Sequence, residues 1–505
     1  MSQTQTSSLR RDAAWLAGIV DNPHDVEQYL SAGHQFSQKK RFAEAEACYR
    51  KAIELNADSP IGHNNLGWVR EMQHSHEEAI ISYQKALQLD PHFRLARRNL
   101  AMLLVRMGRQ HESVPLFHEE MRTDVEGANW MTGLVTDAMQ ARDLTLAGEY
   151  ATILAGLRWG STLYPPRKNG TFPPAPVQAP EVFLTVGKLR HDIDQFLYLK
   201  NKGVLGNEYQ SIIHDYQHVI DRLTANEIKE RVPLDHDTQQ AIGHVYNRIV
   251  HVRHTPRLKQ ALSEKWNGAA VEDQYLNKPP GIVVIDDFLS PEALESIRLF
   301  CLESTIWSGN RYAHGRLGAF FHDGFNCPLL LQIAEELRNT LPNVIGDRYP
   351  LRQLWGFKNG HHLPANSSTH ADFAAVNVNF WITPEEANLD ANTGGLVIYS
   401  VDAPLNWDFK TYNGSPEIIR SFLQQQQAKE TVIPYRQNRA IIFNSDLFHE
   451  TAEVKFRQEY ENRRINITLL YGDRENDMHY KGTVQRDKTD EQAWRSAAFS
   501  TFRRR

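Results

Sequence analysis

The feature that most constrains this chain is a pattern that returns every 34 residues near its start. Leu66-Gly67, Ala79, Tyr83, Ala86 and Pro91 mark one copy. Shifted back by one period, the same places hold Ala32-Gly33, Ala45, Tyr49, Ala52 and Ala57. Shifted forward, they hold Leu100-Ala101, Ser113, Phe117 and Glu120, a degraded copy. A unit of that length is a pair of antiparallel helices. Small residues at Gly33/Gly67 and Ala45/Ala79 let the paired helices approach closely. Tyr49 and Tyr83 fill the gap between units, and Pro91 stops the second helix. No such unit buries its apolar face alone, so the copies must stack into a solenoid.

These positions resemble the tetratricopeptide repeat family over residues 26–127, most closely in the second copy. The resemblance implies a concave surface that holds a protein or peptide partner. A second copy of the chain is a further candidate partner, as a homo-oligomer. From 128 to 275 the sequence reads as a helical middle segment without chemistry of its own. Helix is expected over 137–157, 182–228 and 237–266. Between the first two lies a Pro-rich connector, Tyr164-Pro165-Pro166 and Pro173-Pro174-Ala175-Pro176, which is not helical throughout. At Lys278-Pro279-Pro280-Gly281 the texture changes. A β-branched strand over 282–285 and a helix start at Ser290-Pro291-Glu292 follow. After Gly356 come short, evenly spaced strands, the pattern of a double sheet or barrel. The expected fold is therefore multidomain α + β. An N-terminal α-solenoid is followed by a helical middle, a β-rich region over 276–480, and a polar tail over 481–505.

Composition narrows the function. Lys and Arg number 56 against 61 Asp and Glu, a net charge of −5, so no global electrostatic footprint for nucleic acid exists. Cys48, Cys301 and Cys327 are odd in number and far apart, which excludes a disulfide framework and a CxxC zinc site and suits a reducing compartment. No stretch approaches the roughly 20 apolar residues of a membrane span. The apolar run Ala13–Val20 lies between Asp12 and Asp21 with no cleavage site behind it, and reads as a short amphipathic helix of a cytoplasmic protein. Metal ligands, if present, must come from the 22 histidines and the carboxylates.

The stretch Ser368-Thr369-His370-Ala371-Asp372-Phe373 supplies two such ligands. On an extended segment, residues two apart point to one face, so His370 and Asp372 stand side by side. A third ligand must come from elsewhere. His449 lies just beyond the buried strand Ala440-Ile441-Ile442-Phe443, where it can reach back. The strand Arg464–Tyr471 alternates: Arg464, Asn466 and Thr468 share one face, and the aliphatic residues share the other. A polar face headed by arginine inside a β-structure calls for an anion. By the same alternation Arg463 falls with the isoleucines. His361 and His362 read as loop histidines. Asn377, Asn379 and Trp381 share a face of the strand after Asp372, and Trp355 and Trp407 are candidate substrate walls or core aromatics.

His-x-Asp, a distal His and an Arg-x-polar pair, in this order, resemble the iron(II)/2-oxoglutarate-dependent oxygenases, whose fold is a double-stranded β-helix, or jelly roll. The opening strand and helix over 280–294 and Thr393-Gly394-Gly395-Leu396-Val397-Ile398-Tyr399 add to the likeness, which spans 280–475. It implies that His370, Asp372 and His449 are the iron ligands and catalytic centre. It also implies that Arg464, with Asn466 where the family often has serine, binds 2-oxoglutarate. Iron(II), 2-oxoglutarate and oxygen are the implied cofactor and cosubstrates, with ascorbate as a candidate reductant. Because Asp372 is present, the resemblance favours hydroxylation or another oxidation over halogenation. The pairing with repeats suggests a polypeptide substrate by analogy of architecture; the alternatives are a small molecule or a catalytically inactive scaffold.

Overall fold

The computed structural model describes residues 21–123, 125–160, 183–225, 230–310, 315–364 and 369–474. The run at 13–20, the Pro-rich connector and the tail over 481–505 lie outside the described residues. The chain forms two compact units, Met1–Met131 and Thr132–Arg505.

The first unit is a stack of helical hairpins. α1 (Val26–Gln38) pairs with α2 (Phe42–Leu55), α3 (Pro60–Met72) with α4 (His76–Leu89), and α5 (Arg94–Arg106) with α6 (Gln110–Thr123). Asp25 and Ser59 cap α1 and α3 by accepting from main-chain N–H groups of the first turn. The reason for the repeated glycine is steric: a Cβ on Gly33 would stand 2.6 Å from the Tyr49 ring, and one on Gly67 2.7 Å from the Tyr83 ring. Each tyrosine thus packs on the glycine of its own hairpin as well as against the next one, where Tyr83 joins Leu100, Leu103 and Leu104. In the degraded third copy Glu120 is buried where the second copy has Ala86, and Arg94, Arg97 and Arg98 surround it. Burial works to raise its carboxyl. The hydrogen bonds and charges of Arg94 and Arg98 overcome that and hold it below the usual range.

In the second unit the helices are shorter than the periodicity suggests. The helix expected over 137–157 is two, α7 (Val125–Gln140) and α8 (Leu144–Trp159), broken where Arg142 takes φ +63°. The stretch 182–228 gives a two-residue strand β1 (Phe183–Leu184) and then α9 (Val186–Asn201) and α10 (Tyr209–Ala225), interrupted at Gly203, φ +72°. β1 pairs with β2 (Val232–Pro233). The third expected helix ends early: α11 is only His236–Ile242. Beyond it, the main chain bonds to side chains distant in sequence instead of to itself. Val250 and His251 N–H donate to the Thr305 hydroxyl, Leu258 N–H to Gln332, and Ala261 and Leu262 N–H to Glu336. Tertiary partners there satisfy the backbone and override helix periodicity.

The β-region carries two main sheets. Its strands are β3 (Val283–Ile285), β4 (Leu317–Phe320), β5 (Leu351–Lys358), β6 (His362–Leu363), β7 (Val376–Trp381), β8 (Leu396–Asp402), β9 (Glu430–Ile433), β10 (Ala440–Asn444), β11 (Leu447–Thr451), β12 (Val454–Lys455) and β13 (Ile465–Tyr471). A six-stranded antiparallel sheet runs in the order β3-β10-β7-β13-β5-β4, a three-stranded one β11-β8-β9, and β6 pairs with β12. β3 falls within the strand expected over 282–285, whereas β4 and the start of β5 precede Gly356 without having been expected. Helices α12 (Pro291–Glu303), capped by Ser290, and α13 (Pro328–Thr340) belong to the same region.

Candidate metal centre

One face of the large sheet is polar by register. Asn466 of β13 lies opposite Trp381 of β7 and Phe357 of β5; Thr468 lies opposite Asn379 and Trp355. Paired residues share a face, so Arg464's strand, the asparagines of β7 and the aromatics of β5 look into one interior. Asn379 donates to the Thr468 hydroxyl at 2.8 Å.

The histidines meet through their own main chain. His370 N–H donates to His449 C=O at 3.0 Å, and His449 N–H to His370 C=O at 2.8 Å. This bridge places the ring centroids 4.5 Å apart. Asp372 N–H donates to Ser445 C=O, which sets the third side chain beside them. The ligand atoms of His370, Asp372 and His449 lie within 4.8 Å of one another, the one such cluster among the described residues. Asp372 oxygens stand 3.8 Å from His370 Nε2 and 3.5 Å from His449 Nε2.

Surrounding groups fix the donor atoms. His449 Nδ1 lies 3.0 Å from the Leu447 carbonyl, which can only accept, so Nδ1 carries the proton and Nε2 presents its lone pair to the centre. Asn377 donates to Asp372 Oδ2 at 2.8 Å. Burial acts to raise the Asp372 carboxyl; the nearby His449, His370 and Arg316 outweigh it and hold the group low. Asp372 and His449 are buried while His370 is partly exposed, so the cluster opens on the His370 side. Two imidazoles and one carboxylate gathered this closely, with one edge partly exposed, are a ligand set suited to a divalent first-row metal with open positions.

Arg464 is 1% exposed. It donates to the Gly394 and Gly395 carbonyls and, at 3.0 Å, to Asn466, and its guanidinium carbon lies 5.6 Å from the Trp381 ring. Glycine is required at both supporting positions: Gly394 has φ +78°, and a Cβ on Gly395 would fall 1.8 Å from the Ile433 carbonyl. Burial presses the guanidinium downward. Among the described residues, no carboxylate lies within ion-pair range of it. Asn377 Oδ1, Asn379 Oδ1 and Trp381 Nε1 are buried on the same face without a hydrogen-bond partner among those residues. A buried cation and three unfilled polar atoms facing one interior fit a bound carboxylate-bearing molecule.

The remaining sequence candidates separate. Arg463 turns the other way and pairs with Asp194 at 2.8 Å. His361 and His362 stay outside the cluster, His362 standing 3.7 Å from Glu453. Trp407 packs on Phe422 and Phe448 in a small core. Trp355 stands on the polar face, in a ring group with Phe320, Phe357 and Phe373. Arg316 lies over Phe357 at 4.2 Å. Sequence reasoning missed Arg316, Phe320 and Phe357. The alternation Gln353/Trp355/Phe357 was the one available signal.

Comparison with known proteins places the first unit. A TPR repeat profile matches residues 33–74 and a tetratricopeptide repeat profile 60–93. The peroxisomal targeting signal receptor of Kluyveromyces lactis is 37% identical over 84 residues, 17% of this chain and 15% of that protein. Small glutamine-rich tetratricopeptide repeat-containing protein 2 of Mycosarcoma maydis is 29% identical over 115 residues, 23% of this chain and 33% of its own length. The chain thus spans a third or less of these relatives. Among solved structures, the MamA R50E mutant covers 22% of this chain and 83% of its own, with 26% identity and TM-score 0.20. The non-heme alpha ketoglutarate dependent carbocyclase SnoK from nogalamycin biosynthesis covers 43% and 87%, with 10% identity and TM-score 0.30. No helix among the described residues is long and apolar enough to cross a membrane. Residues 33–93 are tetratricopeptide repeats, and the mixed helical and β region that follows carries a His-Asp-His cluster.

Proposed function

We propose that the second unit is an iron(II)- and 2-oxoglutarate-dependent oxygenase acting on a small organic molecule. Its two sheets are the faces of a double-stranded β-helix, and helices α8 to α11 of the helical middle belong to the same unit. The observation that carries the reading is the pairing of the His370–Asp372–His449 cluster with the buried guanidinium of Arg464, which meets no carboxylate among the described residues, on one interior. When bound, iron(II) with 2-oxoglutarate and oxygen supplies the oxidising power, and 2-oxoglutarate leaves as succinate and carbon dioxide.

The protein's part is placement. His449, locked by its Nδ1–H bond, and Asp372, held by Asn377, keep two ligands rigid, while His370 forms the open edge. Arg464, carried by two glycine carbonyls, takes the distal carboxylate of 2-oxoglutarate in a fork. Asn466 orients that guanidinium. The four rings of Phe320, Trp355, Phe357 and Phe373 exclude water and hold the substrate's apolar body. Small-molecule sites are mostly apolar with few polar groups, and this lining supports a small substrate over the polypeptide expected from the architecture. The repeats then bind a protein partner.

The test is succinate formation from 2-oxoglutarate by anaerobically iron-loaded protein given oxygen, with His370→Ala and Arg464→Ala beside wild type. Oxygen-dependent turnover lost in both variants is expected. Neither iron nor 2-oxoglutarate binding in wild type would return the unit to a scaffold role. Iron binding that survives His370→Ala would refute the ligand assignment.

A further inference from the structure

The proposed metal ligands turn toward the interior, and the residues that alternate with them turn the other way. On β11, His449 lies opposite Ile398 of β8, and Glu450 lies opposite Val397. Ile398 belongs to the core between the sheets, whereas Val397 packs with Tyr399, Ala371 and Phe448 in a separate cluster. Glu450 therefore stands on the outer face, its carboxyl turned away from the metal ligands. It is still only 2% exposed. Among the described residues no lysine or arginine pairs with it. Its partners are two hydroxyls: Tyr399 donates to Oε1 at 3.2 Å, and Thr369 donates to Oε2.

Thr369 precedes His370, and that is where a tie is needed. His370 meets His449 through an isolated bridge, not a ladder. A segment held at one bridge can swing about it. Further along, Ala371 N–H donates to the Tyr412 carbonyl, the Asn413 side chain donates to the Ala371 carbonyl at 2.8 Å, and Asp372 N–H donates to the Ser445 carbonyl. These contacts steady the Asp372 end. The Thr369–Glu450 bond steadies the other end, beside the one ligand of the three that is partly exposed. A buried carboxyl is costly, and hydrogen bonds only offset that cost. An apolar residue would fill the same place among Tyr399 and Phe448 without it.

We propose that Glu450 is a positioning residue of the metal centre. Through the Thr369 hydroxyl it holds His370 at the separation from Asp372 and His449 that a metal ion requires, and it touches neither metal, cosubstrate nor substrate. This rests on the metal-centre reading and names what keeps its exposed ligand in place.

The test is manganese(II) binding to the full chain, read by electron paramagnetic resonance, beside a thermal scan without metal. Thr369→Val keeps the shape and removes the donor; Glu450→Leu removes the acceptor. Each weakens manganese(II) binding about tenfold, the lower end of what losing an outer partner of a ligand costs. The double variant binds no more weakly than Glu450→Leu alone, because both changes break one bond. Thr369→Ser, which keeps a hydroxyl, stays within about twofold of wild type. Tyr399→Phe takes the other hydroxyl from the same carboxyl, so it lowers the unfolding midpoint and leaves manganese(II) affinity within about twofold. Should Glu450→Leu fail to fold, the variants of Thr369 and Tyr399 decide the matter. Thr369→Val with a lowered midpoint and unchanged manganese(II) affinity would make the bond merely structural and overturn the proposal. Equal losses of affinity in Thr369→Val and Tyr399→Phe, or no rescue by Thr369→Ser, would overturn it too. Wild type that binds no manganese(II) is a distinct result: it removes the metal-centre reading itself, and this proposal with it.

Discussion

The two units solve the same problem, holding polar groups in a packed interior, at different distances along the chain. In the repeats, Tyr83 bonds Glu71, 12 residues away, and rests on the glycine of its own hairpin. In the β-region, Arg464 bonds Gly394, 70 residues away, and Thr369 beside His370 bonds Glu450, 81 residues away. Local contacts repeat and can be built one hairpin at a time. Distant contacts need the whole sheet before any of them forms. The first arrangement gives a surface that tolerates a degraded copy. The second gives one rigid constellation that a single substitution disables.

The largest expected effect is at that constellation. Asp372→Ala removes the carboxylate ligand and leaves Asn377 without its acceptor. Metal affinity should fall at least about 100-fold, since losing even an outer partner of a ligand costs 10- to 100-fold. Manganese(II) titration followed by electron paramagnetic resonance checks it. Hydrogen exchange in 26–123 should not change, because the repeat unit is built from its own contacts. A change there would break the contrast between the units.

Arg464→Gln comes next, with opposite signs for binding and folding. The charge-assisted fork to 2-oxoglutarate is lost, about 2–3 kcal/mol or 30- to 150-fold in affinity. Without ligand, the variant no longer buries a charge that lacks a carboxylate, and its unfolding midpoint should be equal to wild type or higher. Calorimetric titration and a thermal scan read the two effects separately. A large loss of unliganded stability would mean that Arg464 is structural.

This contrast explains what the sequence disclosed. The repeat was legible because a steric rule, glycine beneath tyrosine, recurs at a fixed interval. The ligand candidates His370, Asp372 and His449 stood out by residue type and order, but their meeting depends on a backbone bridge that no local pattern encodes. Phe357 and Arg316 stayed hidden because β5 alternates large side chains on both faces, its outer face being covered too: Lys358 there is wholly buried and bonds the Cys301 carbonyl and Tyr460. The helix expected over 237–266 failed for the reverse reason: its periodicity was real, yet Thr305, Gln332 and Glu336 took its N–H groups.

A smaller effect tests the repeat rule. Gly67→Ala puts a methyl 2.7 Å from the Tyr83 ring. Overpacking of this kind costs about 1–3 kcal/mol. Tyr83→Leu in the same chain should recover about 1 kcal/mol of it, a coupling expected only for groups in contact. Hydrogen exchange of α3 and α4 measures both. Strict additivity would mean that the glycine answers to something other than the tyrosine.

The smallest effect lies in the degraded copy and carries a pH sign. The Glu120 carboxyl is held low in the folded repeat by Arg94 and Arg98 against the cost of burial. A depressed carboxyl adds stability that is complete above its unfolded pKa, roughly pH 4 to 5, and is lost as pH falls through the lower folded value. Glu120→Gln keeps one acceptor oxygen for Arg94 and Arg98, removes the charge, and loses the acceptor that faces Arg97. Because Arg94 and Arg98 are partly exposed and can turn to water, the cost near neutrality should be only about 1–2 kcal/mol. Hydrogen exchange in 94–123, followed from pH 7 down through the lowered folded value and corrected for intrinsic rates, should show wild type losing protection faster than Glu120→Gln once the pH is below about 4.5. The two should converge at the acid end. Parallel loss in both proteins would mean that the third hairpin is held by its apolar contacts alone, and that the arginines gather around Glu120 without stabilising it.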